Sequence, residues 1–136
     1  MKLYHGTAQE FTRFDMTFAV RQEAASNGYL GVWLTKTPEA AGAFGPVVLE
    51  VEANFNSTKI IKVEHLRRWH DESRQVIDAR AYYDTIRRKL MEKHYDSIFI
   101  EEASHLNSQI YVALCPEKLN ILGPIKITAP YVVETD

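Results

Sequence analysis

Two stretches of this 136-residue chain hold residue types from which a binding site could be built. In the first, Lys2-Leu3-Tyr4 leads directly into His5-Gly6-Thr7. An imidazole at a strand end, a residue without a side chain and a hydroxyl make a compact set. Glycine lets a ligand approach the main chain, and its neighbours offer hydrogen bonds. The second stretch is Gly31-Val32-Trp33-Leu34-Thr35, with Phe44 eleven residues beyond Trp33. Two aromatic faces suit a flat heteroaromatic cation, and tryptophan is the strongest cation–π partner. Each feature alone has a structural explanation: a histidine at a strand end can be a satisfied core residue, and Trp33 and Phe44 can be packing residues.

Other chemistries find less support. The chain has neither a Gly-x-Gly-x-x-Gly turn nor a phosphate loop. His65 and His70 stand five apart, which on a helix does not put them on one face, so no metal site is expected. Cys115 is the only cysteine. It precedes Pro116 at a strand end with no base beside it in sequence, and reads as a packing residue.

The elements that must position these residues follow from patterning. Lys2–His5 reads as a strand ending at Gly6, and Thr7 to Gly28 as a long loop anchored by Phe11, Phe14 and Phe18. Tyr29–Thr35 is rich in strand formers. Thr37-Pro38-Glu39 carries the signature of a helix start, and Gly42 and Gly45-Pro46 end that helix within about two turns. Val47, Leu49, Val51 and Ala53 alternate with Glu50 and Glu52, the period of a half-buried strand. Ile60 to His94 reads as mainly helical. Leu66 and Trp69 share one helix face, and Tyr82 or Tyr83 recurs with Ile86 and Leu90 on another. Strands follow at Ser97–Ile100, Gln109–Leu114 and Ile125–Thr128. This order predicts an α+β fold in one domain, 1–136, rather than regular βαβ alternation.

Composition narrows the function classes. The chain is 46% hydrophobic with a net charge of -2, which suits one folded core and argues against a generic nucleic-acid binder. Arg67-Arg68 and Arg87-Arg88-Lys89 are local basic clusters among acidic residues on predicted helices. No apolar run approaches the roughly 18 residues of a membrane span. With one cysteine no internal disulfide can form, and the N-terminus lacks a signal-peptide core, so a cytoplasmic protein is expected.

Taken together, Tyr4-His5-Gly6-Thr7 with Phe11 and Phe14, Gly31–Thr35 with Ala41–Gly45, and Tyr95–Ile100 with Tyr111–Leu119 stand in one order. In that order they resemble the ADP-ribosyltransferase fold of the diphtheria-toxin and poly(ADP-ribose) polymerase branch. The short domains of phage polyvalent proteins are the most similar version. The resemblance implies a split mixed or antiparallel β-sheet with a few flanking helices, and NAD as substrate. His5 would hydrogen-bond an NAD ribose hydroxyl, the Gly6 main chain would hold the nicotinamide amide, and Thr7 would lie near the adenine-side ribose. Trp33 and Phe44 would sandwich the nicotinamide, with Gly31 and Thr35 completing that wall.

One position departs from the pattern. The family glutamate that directly precedes the Tyr-Val-Val run is Ile110 here. A carboxylate there stabilises the oxocarbenium-like ribose, which isoleucine cannot do. Gln109 is next in sequence, but strand alternation turns it to the opposite face unless the strand bulges. Glu101 and Glu102, expected in a loop just upstream, are the nearest acidic substitutes. Some mono-ADP-ribosyltransferases of this branch also carry an apolar residue there and are thought to rely on an acidic acceptor. The resemblance therefore implies mono-ADP-ribosyl transfer to a macromolecular acceptor, a protein by preference, as in a phage or bacterial effector. The alternatives are a binding module or inhibitor that kept the fold and lost the chemistry, and the same fold acting on nucleic acid. No membrane or metal partner is implied.

Overall fold

In the computed structural model, which describes residues 1–14, 26–105 and 108–126, alternating apolar residues build one seven-stranded sheet. The strands are β1 (Lys2–Thr7), β2 (Val32–Thr35), β3 (Val47–Ala53), β4 (Thr58–Lys62), β5 (Ser97–His105), β6 (Ser108–Ala113) and β7 (Leu119–Ile125). Their order across the sheet is β4-β5-β6-β2-β1-β3-β7. Only β4 and β5 run parallel; the remaining neighbours are antiparallel. The mixed sheet, with helices beside it, is the α+β architecture expected.

The sheet is nearly divided in two. β1 pairs with β3 over its whole length, from Lys2↔Glu52 to Thr7↔Val47. On its other side it pairs with β2 only at Tyr4↔Thr35. A four-stranded half, β4-β5-β6-β2, and a three-stranded half, β1-β3-β7, thus meet at one residue pair and then diverge.

Among the described residues three α-helices complete the fold: α1 (Pro38–Ala41), α2 (Val63–Ser73) and α3 (Ala79–Glu92). Thr37 caps α1, its hydroxyl accepting from the Ala40 amide at 3.3 Å, an interaction worth about 1 kcal/mol. Asp78 caps α3 in the same way through Ala81. Leu66 and Trp69 of α2, and Tyr83, Ile86 and Leu90 of α3, cover Ile98, Ile100, Ile110 and Val112 of β5 and β6. Residues paired across antiparallel strands share a face, so Trp33 and Thr35 lie on this helix-covered side with Val112 and Ile110. The other face gathers Leu3, Leu34, Leu49, Val51 and Ala113 with Phe14 into a second cluster.

Several boundaries differ from the sequence expectation. β1 continues through Gly6 to Thr7, and Tyr29 and Leu30 belong to a 3₁₀ turn (Ser26–Leu30) rather than to β2. β4 was hidden within the segment read as helical. No breaker separates it from α2, and its side chains alternate only weakly because it is an edge strand with Ile60 exposed. The last strand is Leu119–Ile125, not Ile125–Thr128, of which residues 127 and 128 lie outside the described part. Gly123-Pro124 does not stop β7. A bulge opposite Glu50/Val51 absorbs Leu122, Gly123 takes φ 139°, and an edge strand tolerates proline. The expected anchor Phe18 also lies outside the described residues.

Candidate functional site

The divergence of β1 from β2 leaves main-chain groups facing a gap. Met1 and Ala53 exchange two hydrogen bonds, the Met1 ammonium to the Ala53 carbonyl at 3.1 Å and the Ala53 amide to the Met1 carbonyl at 2.8 Å. The unbroken β1–β3 register therefore gives Leu3, His5 and Thr7 their ladder bonds to β3. Tyr4 and Gly6 turn their N–H and C=O the other way, toward β2. Tyr4 finds Thr35 there; one pair further Gly6 would face Trp33, but the pairing has ended. An amide donor and a carbonyl acceptor, two atoms apart on one residue, point into the opening.

Glycine is required at that position for a second reason. A Cβ on Gly6 would lie 1.9 Å from the Ala41 carbonyl oxygen and 3.1 Å from Phe44 Cβ. The end of α1 is pressed onto β1, which brings Phe44, half exposed at 51%, beside Gly6 on the helix-covered face. Trp33 is half-buried on that same face, across the gap. Phe44 thus stands against Gly6, and Trp33 shares their face while packing against the cluster of Leu30 and Val112. Gly31 is held equally tightly, since a Cβ there would meet the Ala113 carbonyl at 2.3 Å. Thr35 is buried, and its hydroxyl donates to the Thr37 carbonyl at 2.7 Å, so this side chain shapes the turn into α1.

His5 lies on the opposite face of β1. Its Nδ1 is 2.8 Å from the Trp33 carbonyl, and its ring packs edge-on against Phe14 at 5.0 Å and Phe11 at 6.0 Å. A carbonyl only accepts, so Nδ1 carries the proton and Nε2 is left as an acceptor. Burial holds the imidazole pKa below its usual range, with the Trp33 bond acting weakly the other way. The ring is therefore neutral, and it bridges the two sheet halves just where their ladder stops. Thr7, on the same face as His5, is buried, and its hydroxyl accepts from the Gln9 amide at 3.4 Å.

The Ile110 side of the site is different in kind. Ile110 is 6% exposed and pairs with Thr35 and Ile100 within the apolar cluster under α2 and α3. Gln109 is exposed, as strand alternation requires, while its carbonyl accepts from the Lys36 amide at 3.1 Å. Glu101 and Glu102 do not lie in a loop: both are part of β5, which runs on to His105 with a register shift beyond Ile100. Glu101 is exposed and in register with Lys62; the Glu102 side chain lies outside the described residues.

Elsewhere the residues weighed for chemistry hold structural positions. Burial pushes the Cys115 thiol pKa up, with Glu117 and Asp96 adding to the effect, so the sulfur stays protonated. His65 packs edge-on against Trp69 at 4.6 Å, and His70 is exposed. Among the described residues no three His, Cys, Asp or Glu side chains cluster as a metal site would need. Sequence reasoning did not single out the chemistry of Asp96. Its buried carboxylate accepts from the Asn56 and Ser57 amides and from the Ser97 hydroxyl, tying the β3–β4 connection to β5. Arg87 bonds the Leu114 carbonyl and Asp84, and Arg88 pairs with Asp84, so part of that basic cluster is internally neutralised.

A family model described as ADP-ribosyltransferase in polyvalent proteins matches residues 1–120. The chain belongs to this family. The match spans the gap, both aromatic residues and Ile110. No curated protein matches the sequence. Among solved structures, the crystal structure of an anti-CRISPR protein shares the fold with a TM-score of 0.53. It is 11% identical, and the alignment covers 92% of this chain and 95% of that one. Among the described residues, no helix is long and apolar enough to cross a membrane.

Proposed function

We propose that the protein is a mono-ADP-ribosyltransferase that binds NAD at the gap between β1 and β2. The observation that carries this reading is the Gly6 main chain turned into that gap, with Trp33 and Phe44 on one side of the sheet and His5 on the other. A primary amide such as that of nicotinamide complements one donor and one acceptor on a single residue. The two aromatic side chains offer faces to its cationic ring. The acceptor lone pair of His5 Nε2 suits a ribose hydroxyl, and Thr7 extends that face toward the adenine-side ribose. Gly31 and Thr35 act through shape, fixing β2 and the turn that carries Phe44.

In the reaction the bond between ribose C1 and the nicotinamide nitrogen breaks, and nicotinamide leaves with the electron pair. The acceptor nucleophile attacks the resulting oxocarbenium carbon and gives up its proton. Positioning and electrostatics are what a site of this kind contributes. Ile110 supplies no charge, so the carboxylate that steadies the ribose comes from the acceptor or from Glu102. Gln109 faces away and takes no part. Elongation to a polymer is not expected without that glutamate. The acceptor is a cytoplasmic macromolecule, a protein by preference, and the chain acts as a phage or bacterial effector.

Incubation of the pure protein with labelled NAD and a cell lysate tests this, following free nicotinamide and labelled macromolecules together. Label on a discrete target with matching nicotinamide release is the expected outcome. Nicotinamide release alone would make the protein a glycohydrolase. Because Ile110 is core, a second reading has its own support: an NAD-binding module or inhibitor without transfer. NAD binding by calorimetry with neither product would favour it.

A further inference from the structure

We propose that a basic and aromatic surface formed by α2, β4 and the turn before β5 binds single-stranded nucleic acid. It lies at the β4 edge of the sheet, away from the gap, and does not depend on the NAD reading.

Helix periodicity assembles the surface. His65, Arg68, Trp69 and Glu72 of α2 stand three and four residues apart and share one face. Trp69 packs partly onto the apolar cluster beneath the helix, and the His65 ring meets its ring edge-on at 4.6 Å. Lys59 joins them from β4. By strand alternation it shares the helix-covered side with buried Ile61, while Ile60 turns away and is exposed. The Lys59 ammonium lies 5.5 Å from the centre of the Tyr95 ring, and Tyr95 is half-buried against the same cluster as Trp69. Two cations and three flat rings are thus gathered where α2 meets the sheet edge.

The electrostatics show the same convergence. Burial holds the His65 pKa below its usual range, Arg68 and Lys59 add to the effect, and Glu72 acts against it. Cations from two different elements therefore act on one imidazole. Glu72 in turn accepts a hydrogen bond from the Tyr82 hydroxyl. Among the described residues neither Lys59 nor Arg68 forms an ion pair, in contrast to Arg87 and Arg88, which share Asp84. Unpaired cations beside flat rings complement a polymer that alternates phosphate and base: the cations meet phosphates, and bases stack on the rings. A duplex keeps its bases stacked on one another, and acidic side chains offer no ring to stack, so the aromatic component selects a single strand. The net charge of -2 excludes binding by bulk charge. A local cluster escapes that limit, since charges farther than about 10 Å away are largely screened at about 0.1 M salt.

Fluorescence anisotropy of a labelled single-stranded oligonucleotide of about 12 nucleotides, titrated with the full chain, tests the assignment. Lys59→Gln and Arg68→Gln should each weaken binding about fivefold at about 0.1 M salt, and each should lower the slope of log affinity against log salt by about 0.7. Arg67→Gln is the control. It removes the same charge from an exposed position two residues from His65, off the shared face, and should bind as the wild type does. Trp69→Phe keeps a packing ring and should abolish the tryptophan quenching that the oligonucleotide causes. Melting curves verify the fold of each variant. An absence of saturable binding by the wild-type chain, equal losses in all three charge variants, or quenching that survives in Trp69→Phe would each overturn the proposal. Polyglutamate that displaces the label as well as unlabelled oligonucleotide does would overturn it too, in favour of an acidic protein partner.

Discussion

The gap at Gly6 and the sheet around Ile110 lie on the same face, a few residues apart in register, yet they are built by opposite rules. At Gly6 the chain gives up ordinary strand construction: pairing with β2 stops, main-chain groups turn toward the gap, and α1 is packed so tightly that no side chain fits. Phe44 stays half exposed where a packing residue would be covered. Ile110 is paired on both sides, with Thr35 and with Ile100 just before the β5–β6 register shifts, and apolar side chains fill the space beneath two helices. The first region leaves polar main chain and an aromatic side chain without full cover, while the second is filled by apolar packing. On the reading proposed above, the first region would hold the ligand while the second would supply no charge to the chemistry.

The sharpest way to break the comparison is Gly6→Ala. Its Cβ would collide with the Ala41 carbonyl, forcing α1 off the sheet, and overpacking of this kind costs about 3 kcal/mol or more. Thermal melting should show the loss, and NAD binding should disappear with it. Ile110→Ala should cost about 3 kcal/mol through cavity formation while NAD affinity, measured by calorimetry, stays as in the wild type. A matching loss of affinity would mean the two regions are one site after all. Trp33→Ala should show the converse, an affinity loss of about 2 kcal/mol. Unchanged affinity with a large drop in melting temperature would return Trp33 to the core.

Smaller effects sharpen the picture. His5 takes up a proton near pH 6.5 when unfolded, whereas burial holds its folded pKa lower. The folded state then binds fewer protons than the unfolded one. This contribution to stability is complete above about pH 6.5 and is lost as the pH falls below it. Denaturant melts from about pH 8 to about pH 5 should show the decline. His5→Asn, which keeps a donor for the Trp33 carbonyl, should flatten it; an identical slope would move the effect to another group such as His65, whose pKa is also lowered, chiefly by burial. Last, the Tyr83 hydroxyl is buried beneath α3 with no hydrogen-bond partner among the described residues. Tyr83→Phe should therefore gain about 1 kcal/mol in melts and leave ligand affinity alone.

How much of this was legible in the sequence depended on whether the signal was local. The alternation of Val47–Ala53 and the Thr37-Pro38 cap are written in adjacent residues, and both appear as expected. β4 and β7 were misplaced because their cues come from neighbours: β4 exists through parallel pairing with β5, and β7 passes a glycine and a proline because it lies at an edge. For the site, His5-Gly6-Thr7 and the Trp33/Phe44 spacing named candidate residues, and strand pairing puts Trp33 on the face from which Phe44 approaches Gly6. That His5 turns to the other face and bonds the Trp33 carbonyl could not be read from one strand alone. It depends on where two strands separate. The packing role of Cys115 was legible, whereas the burial of Ile110 under α2 and α3 required the packing of distant helices.

The single pair that joins the two halves of the sheet also has a spectroscopic consequence. Amide protons locked in a ladder exchange slowly with solvent deuterium, whereas those outside one exchange by smaller local openings. His5 and Thr7 donate to β3, while the intervening Gly6 amide faces the gap. Along three consecutive residues, exchange should run slow, fast, slow. A molecule that settles into the opening would erase the middle minimum in protection. One glycine amide resonance therefore gives a direct readout of occupancy, independent of turnover.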